Sequence, residues 1–177
     1  PLSAYAVDPC NPIGHKLRVR ACRKSVAHNL PVCRIGFRSQ EPRLRGTIVV
    51  PTQDPALAAE EIDRVGGDAR FVQVLLPAHA EALYGNRRYY PVYEAALRHD
   101  LAIGIHFGGN PGGPPTAVGW PSYYVEEYVG MSHIFQSQVI SLVTEGVFDR
   151  FPTLRVALIE SGVTWLPSLV WRLDKEW

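Results

Sequence analysis

A chain of 177 residues, 46% of them hydrophobic, can bury a sizeable core as one mixed domain. Its formal charge of +1 excludes a dominant electrostatic reason for binding nucleic acid or an anionic membrane. The three cysteines, Cys10, Cys22 and Cys33, are odd in number and not closely paired, which argues against a secreted disulfide framework and for a reducing, cytoplasmic setting. No apolar run reaches the roughly 18 residues of a membrane helix.

Residues 1–40 carry Lys16, Arg18, Arg20, Arg23, Lys24, Arg34 and Arg38 against the single acid Asp8. Pro9, Pro12, Gly14, Pro31 and Gly36 interrupt them without any sustained periodicity, so they are expected to be a basic irregular segment. Cys22, His28 and Cys33 lack the close Cys pair of a metal knuckle. Residues 41–177 are taken as the folded domain.

Gly46-Thr47-Ile48-Val49-Val50 predicts a strand, and Asp54-Pro55 an N-cap followed by proline at the first helical position. Ala58, Ile62 and Val65 share one face of that helix, which Gly66-Gly67 is expected to end with a left-handed residue. The unit recurs as a strand over Phe71–Leu76 and a helix over Pro91–Arg98, where Glu94 and Arg98 are spaced to pair. A third strand, Leu101–Ile105, runs into His106. After it come the loop Gly108–Pro115 and a long helix with a stripe of Phe135, Val139, Leu142 and Val143. The fourth strand covers Leu154–Ile159, and Val163, Leu166, Val170 and Leu173 then repeat at helical spacing.

Four nearly continuous apolar strands alternating with helices indicate an α/β protein with a helix-covered parallel sheet. Periodicity leaves open whether the sheet is doubly wound or part of a barrel. In both, ligands meet the sheet at the carboxyl ends of the strands.

His106 and Glu160 each end an apolar strand and run into small residues, Phe107-Gly108-Gly109 and Ser161-Gly162. Imidazole and carboxylate are ligand types for a divalent ion such as zinc, but a catalytic zinc needs three protein ligands, so these two supply part of a site. The alternatives are a His106 ring satisfied by a backbone carbonyl and a Glu160 carboxylate paired with Arg172. Their equivalent placement favours function.

Of the remaining polar candidates, His133 is read as a surface or lid histidine. Gln73 is read either as facing a barrel interior or as a hydrogen-bonded core amide. The glycine-rich loop lacks the Lys-Ser or Lys-Thr of a phosphate cradle and is read as a mobile loop over the strand ends. Tyr89, Tyr90, Trp120, Tyr123 and Tyr124 could line an apolar pocket, although aromatic residues are more often core, the reading assigned to Trp165 and Trp171.

Ile103-Gly104-Ile105-His106, Gly146-Val147-Phe148-Asp149-Arg150-Phe151-Pro152-Thr153-Leu154-Arg155-Val156 and Ile159-Glu160-Ser161-Gly162-Val163-Thr164-Trp165-Leu166-Pro167, followed by Trp171-Arg172-Leu173-Asp174, together resemble the amidohydrolase-related family that includes aminocarboxymuconate-semialdehyde decarboxylase. The resemblance covers about residues 41–177. It implies a (β/α)8 TIM barrel, present here as roughly its central four β/α units. It also implies a divalent metal, usually zinc, and hydrolysis or decarboxylation of a small, aromatic or carboxylated substrate. His106 matches the family's metal-binding histidine on the fifth strand. Glu160 stands where the decarboxylases carry a catalytic histidine, so it is assigned the catalytic role as ligand or acid/base and the decarboxylase mechanism does not transfer unchanged.

The first-strand metal motif has no counterpart, and the aspartate of the last strand would lie beyond Trp177. The expectation is an incomplete sequence whose first forty residues are unrelated to the family. The expected partner is a small-molecule substrate, with homo-oligomers left open and neither nucleic acid nor membrane involved. The competing class is a non-catalytic half barrel that acts as a scaffold through its strand edges. A doubly wound nucleotide-binding domain would need a glycine-rich turn directly between strand and helix, which is missing.

Overall fold

The computed structural model describes residues 45–108, 114–116 and 118–176. The expectations for residues 1–40 and for the centre of the glycine-rich loop, residues 109–113, lie outside these.

Four strands form one sheet in the order β1 (Gly46–Val49), β2 (Phe71–Pro77), β3 (Ala102–His106), β4 (Val156–Ile159), with every neighbouring pair parallel. Each new strand is added on the same side of the last. A doubly wound sheet reverses direction at a switch point, whereas a barrel wall does not. The sequential order therefore decides what periodicity left open: this is a section of barrel wall.

The register separates the two faces. Ile48, Val74 and Ile103 align across three strands and are buried with Leu76 and Ile105 beneath the helices. The opposite, inner face carries Thr47, Gln73, Leu75, Gly104, Ala157 and His106. There Val49 is 51% exposed and Ala157 is exposed, as expected for a wall seen from inside a barrel of which half is at hand. Gln73 does face this interior: a Cβ on Gly104 would stand 2.2 Å from its Nε2, so the inner face needs glycine beneath that amide.

Helix α1 (Pro55–Val65) starts where the sequence predicts, with the Asp54 carboxylate accepting from Leu57 N at 3.1 Å. It does not end on a left-handed glycine, because Gly66 is right-handed, with φ −65°. A side chain there would lie 2.8 Å from the His99 ring, so close helix approach is what requires glycine. Helix α2 (Tyr90–Arg98) follows a 3-10 turn over Arg87–Tyr89. Arg98 forms its ion pair with Asp63 of α1, at 2.7 Å, because the neighbouring helix brings a carboxylate within reach, and Glu94 adds only a longer-range attraction.

The long helix expected after β3 is two helices, α3 (Tyr124–Gly130) and α4 (Ser132–Thr144), and the short α5 (Val147–Arg150) precedes β4. The buried face of α4 is Phe135, Gln138, Ser141 and Leu142, while Val143 is exposed. The expected stripe was rotated because two polar side chains, discussed below, are core residues. In α6 (Leu166–Glu176) only Leu169 is buried. Val163, Leu166, Val170 and Trp171 are exposed, Trp171 to 81%, so the core assignment of Trp171 is overturned: its helix has nothing packed over that side among the described residues. Trp165 is partly buried, its indole N–H donating to Ser161 O at 2.8 Å.

Candidate active site at the carboxyl ends of the strands

His106 is the last residue of β3 and shares the inner face with Gly104. Its Nδ1 lies 2.7 Å from the carbonyl oxygen of Phe107. A carbonyl only accepts, so Nδ1 carries a proton and Nε2 is the nitrogen that a neutral ring would offer as a lone pair. The backbone-satisfied imidazole expected as the alternative is thus present, yet it uses one nitrogen and leaves the other pointing outward.

Glu160 follows β4 directly and takes φ 62°, a left-handed conformation that L side chains avoid. Strain of this kind persists where surrounding structure imposes it and is concentrated at functional sites. The Glu160 carboxylate comes within 3.5 Å of His106 Nε2. It is not paired with Arg172, whose guanidinium meets Glu176 at 3.3 Å one helical turn away. The two residues singled out by their place at strand ends are therefore brought together by adjacent strands.

In the neutral tautomer this pair consists of two acceptors aimed at one another. Such a contact is favourable when a cation lies between them, either a proton on Nε2 or a metal ion. An imidazole whose second nitrogen donates to a backbone carbonyl, beside a carboxylate, is a fitting donor set for a divalent ion. It is partial: among the described residues no three His, Cys, Asp or Glu side chains are grouped closely enough to hold a metal.

A third polar residue on this rim has no signal in the strand pattern. Beyond Pro77, which pairs with His106, the β2 backbone continues alongside β3: Ala78 N donates to His106 O at 2.7 Å and His79 N to Gly108 O at 2.9 Å. The His79 ring is partly buried, and burial holds it below the ordinary imidazole range against the opposing pull of the Glu127 carboxylate on α3. Inspecting the residue that directly ends each apolar run stops at Pro77 and misses it.

The loop carrying His79 is held from behind. Gln138 on α4 accepts from Tyr84 N at 2.8 Å and donates to Ala78 O at 2.7 Å, while Ser141 Oγ accepts from Gly85 N at 3.0 Å. The Tyr84 hydroxyl donates to Pro77 O at 2.5 Å. Tyr89, a candidate for the pocket lining, belongs to this core, its ring 4.9 Å from that of Tyr84. Trp120, Tyr123 and Tyr124 are exposed, each above 70%, and His133 is exposed as read.

The family model for Amidohydrolase matches residues 33–177. A curated relative, the gamma-resorcylate decarboxylase of Polaromonas sp. (strain JS666), is 25% identical over 76% of this chain and 43% of its own length. Among solved structures, an amidohydrolase from Mycobacterium avium subsp. paratuberculosis superposes with a TM-score of 0.73 at 25% identity, covering 90% of this chain and 43% of that one. The fold is shared also with the 5-carboxyvanillate decarboxylase of Novosphingobium aromaticivorans, a structure that contains manganese (TM-score 0.59, 22% identity, 91% of this chain and 43% of that one). The chain spans less than half the length of these proteins. With its sequential parallel wall and a family-model match over most of its length, it belongs to the amidohydrolase family.

Proposed function

We propose that the chain carries part of the active site of a metal-dependent decarboxylase acting on a small aromatic carboxylate, with His106 as a metal ligand and Glu160 as the acid/base. The observation behind this reading is the convergence of His106 Nε2 and the strained Glu160 on one point, 3.5 Å apart. The decarboxylase relative favours carboxy-lyase over hydrolase chemistry. One imidazole and one carboxylate suit zinc, the ion expected from the family resemblance, as well as the manganese of the 5-carboxyvanillate enzyme.

A divalent ion held there would supply positive charge that binds and polarises oxygens of the substrate. His106 is kept in the ligating tautomer by its bond to Phe107 O. Glu160, at the mouth of the site with its side chain 58% exposed, can exchange protons with solvent. It delivers one to the ring carbon that bears the carboxylate; the carbon–carbon bond then breaks, CO2 departs, and the electron pair of that bond restores the aromatic ring. The cysteine pattern supports a cytoplasmic protein. No described helix is long and apolar enough to cross a membrane.

The test is CO2 release from gamma-resorcylate and related hydroxybenzoates by the intact protein loaded with manganese or zinc, with metal content measured in parallel. His106→Ala is expected to lose the metal and the activity together. Unchanged metal content in that variant, or no release from any substrate by the metal-loaded protein, would sink the assignment.

A further inference from the structure

We propose that His79 is a substrate-binding residue of this site, donating a hydrogen bond to an anionic oxygen of the bound carboxylate from the rim beside His106. The inference rests on the functional reading above and adds a residue that the family resemblance did not single out.

Three observations carry it. The first is position: two main-chain hydrogen bonds beyond the last paired residues of β2 and β3 tie Ala78 and His79 to His106 O and Gly108 O, so the His79 backbone is fixed against the strand that ends in the candidate metal ligand. The second is that the ring is partly buried and makes no side-chain hydrogen bond among the described residues, yet neither nitrogen is sealed from solvent, so both are open to a ligand. A bound anion would satisfy one of them.

The third is rigidity. The loop that carries the ring is anchored at both ends of its backbone, because Gln138 holds Ala78 O and Tyr84 N, and Ser141 holds Gly85 N. A binding group carried on a fixed backbone is preorganised, which lowers the entropic cost of engaging ligand. Glu127 on α3 is the charged neighbour of the ring.

The test is calorimetric titration of the intact, manganese-loaded protein with gamma-resorcylate. His79→Ala should retain the metal and bind the probe about tenfold more weakly, the effect of losing one hydrogen bond to a charged group. His79→Gln, which keeps a donor, should recover part of that loss. In the unsubstituted protein loaded with diamagnetic zinc, the His79 Cε1–H resonance should move on adding the probe, a readout that does not depend on any variant folding. Affinity within twofold in His79→Ala, or an unmoved resonance while the probe binds, overturns the role of His79 and leaves the functional reading intact. Failure of the unsubstituted protein to bind either manganese or probe overturns both.

Discussion

Gln138 and Tyr84 are 54 residues apart in sequence and 2.8 Å apart in the fold, the amide oxygen of one accepting the backbone N–H of the other. The same amide donates to Ala78 O, so one side chain on α4 closes the loop that follows β2 and ties the third β/α unit to the second. Both backbone groups are shielded from water by the surrounding tyrosines.

Replacing Gln138 by Leu should therefore leave a buried donor and a buried acceptor without partners and destabilise the protein by about 2–4 kcal/mol. Urea unfolding of the two proteins measures this. A loss below about 0.5 kcal/mol would show that water takes over both bonds.

The left-handed backbone at Glu160, φ 62°, makes an opposite demand. At an ordinary exposed site glycine is less favourable than alanine by about 0.5–1 kcal/mol. At position 160 the penalty should vanish, leaving Glu160→Gly at least as stable as Glu160→Ala, while both lose activity. Thermal melts decide it, and the usual alanine advantage would show that the backbone relaxes at no cost.

Beneath Gln73, Gly104 has no room for a methyl group, which would meet the amide Nε2 at 2.2 Å. Gly104→Ala should cost about 1–3 kcal/mol, as overpacking does. Because the obstacle is a side chain, the added replacement Gln73→Ala should recover most of it, and a double-mutant cycle gives the coupling. Strict additivity of the two changes would contradict the contact.

Asp68 is held at about 2 by hydrogen bonds from the Arg70 side chain and backbone. A carboxylate whose folded value lies below its ordinary 3.8 adds stability that is fully present above pH 4 and disappears as the pH falls toward 2. Melting temperature measured from pH 6 to pH 2 should fall less steeply in Asp68→Asn, with the difference between the curves confined to that window. Since the pair is largely solvent-exposed, the difference should be small and reduced by salt.

The candidate site was legible to the extent that it follows from strand ends. His106 and Glu160 terminate apolar runs, and a parallel sheet turns that pattern into a common location. The α4 face was misread because hydrophobic periodicity treats Gln138 and Ser141 as surface residues. They are buried because the β2 loop presents main-chain groups that only polar side chains can satisfy. Trp171 was misjudged for the converse reason: an aromatic ring needs a partner surface to be buried, and α6 has none on that side among the described residues.

The sequence by itself determined the alternation of strands and helices, the N-cap at Asp54 and the two residues at the strand ends, since these depend on local periodicity and on chemistry a few residues apart. Tertiary structure decided that the wall is sequential, that Glu160 meets His106 Nε2 and not Arg172, that Gly66 serves helix approach, and that His79 stands on the rim. Each of these depends on which distant backbone lies alongside, and strand order, tautomer and clearance are properties of that pairing.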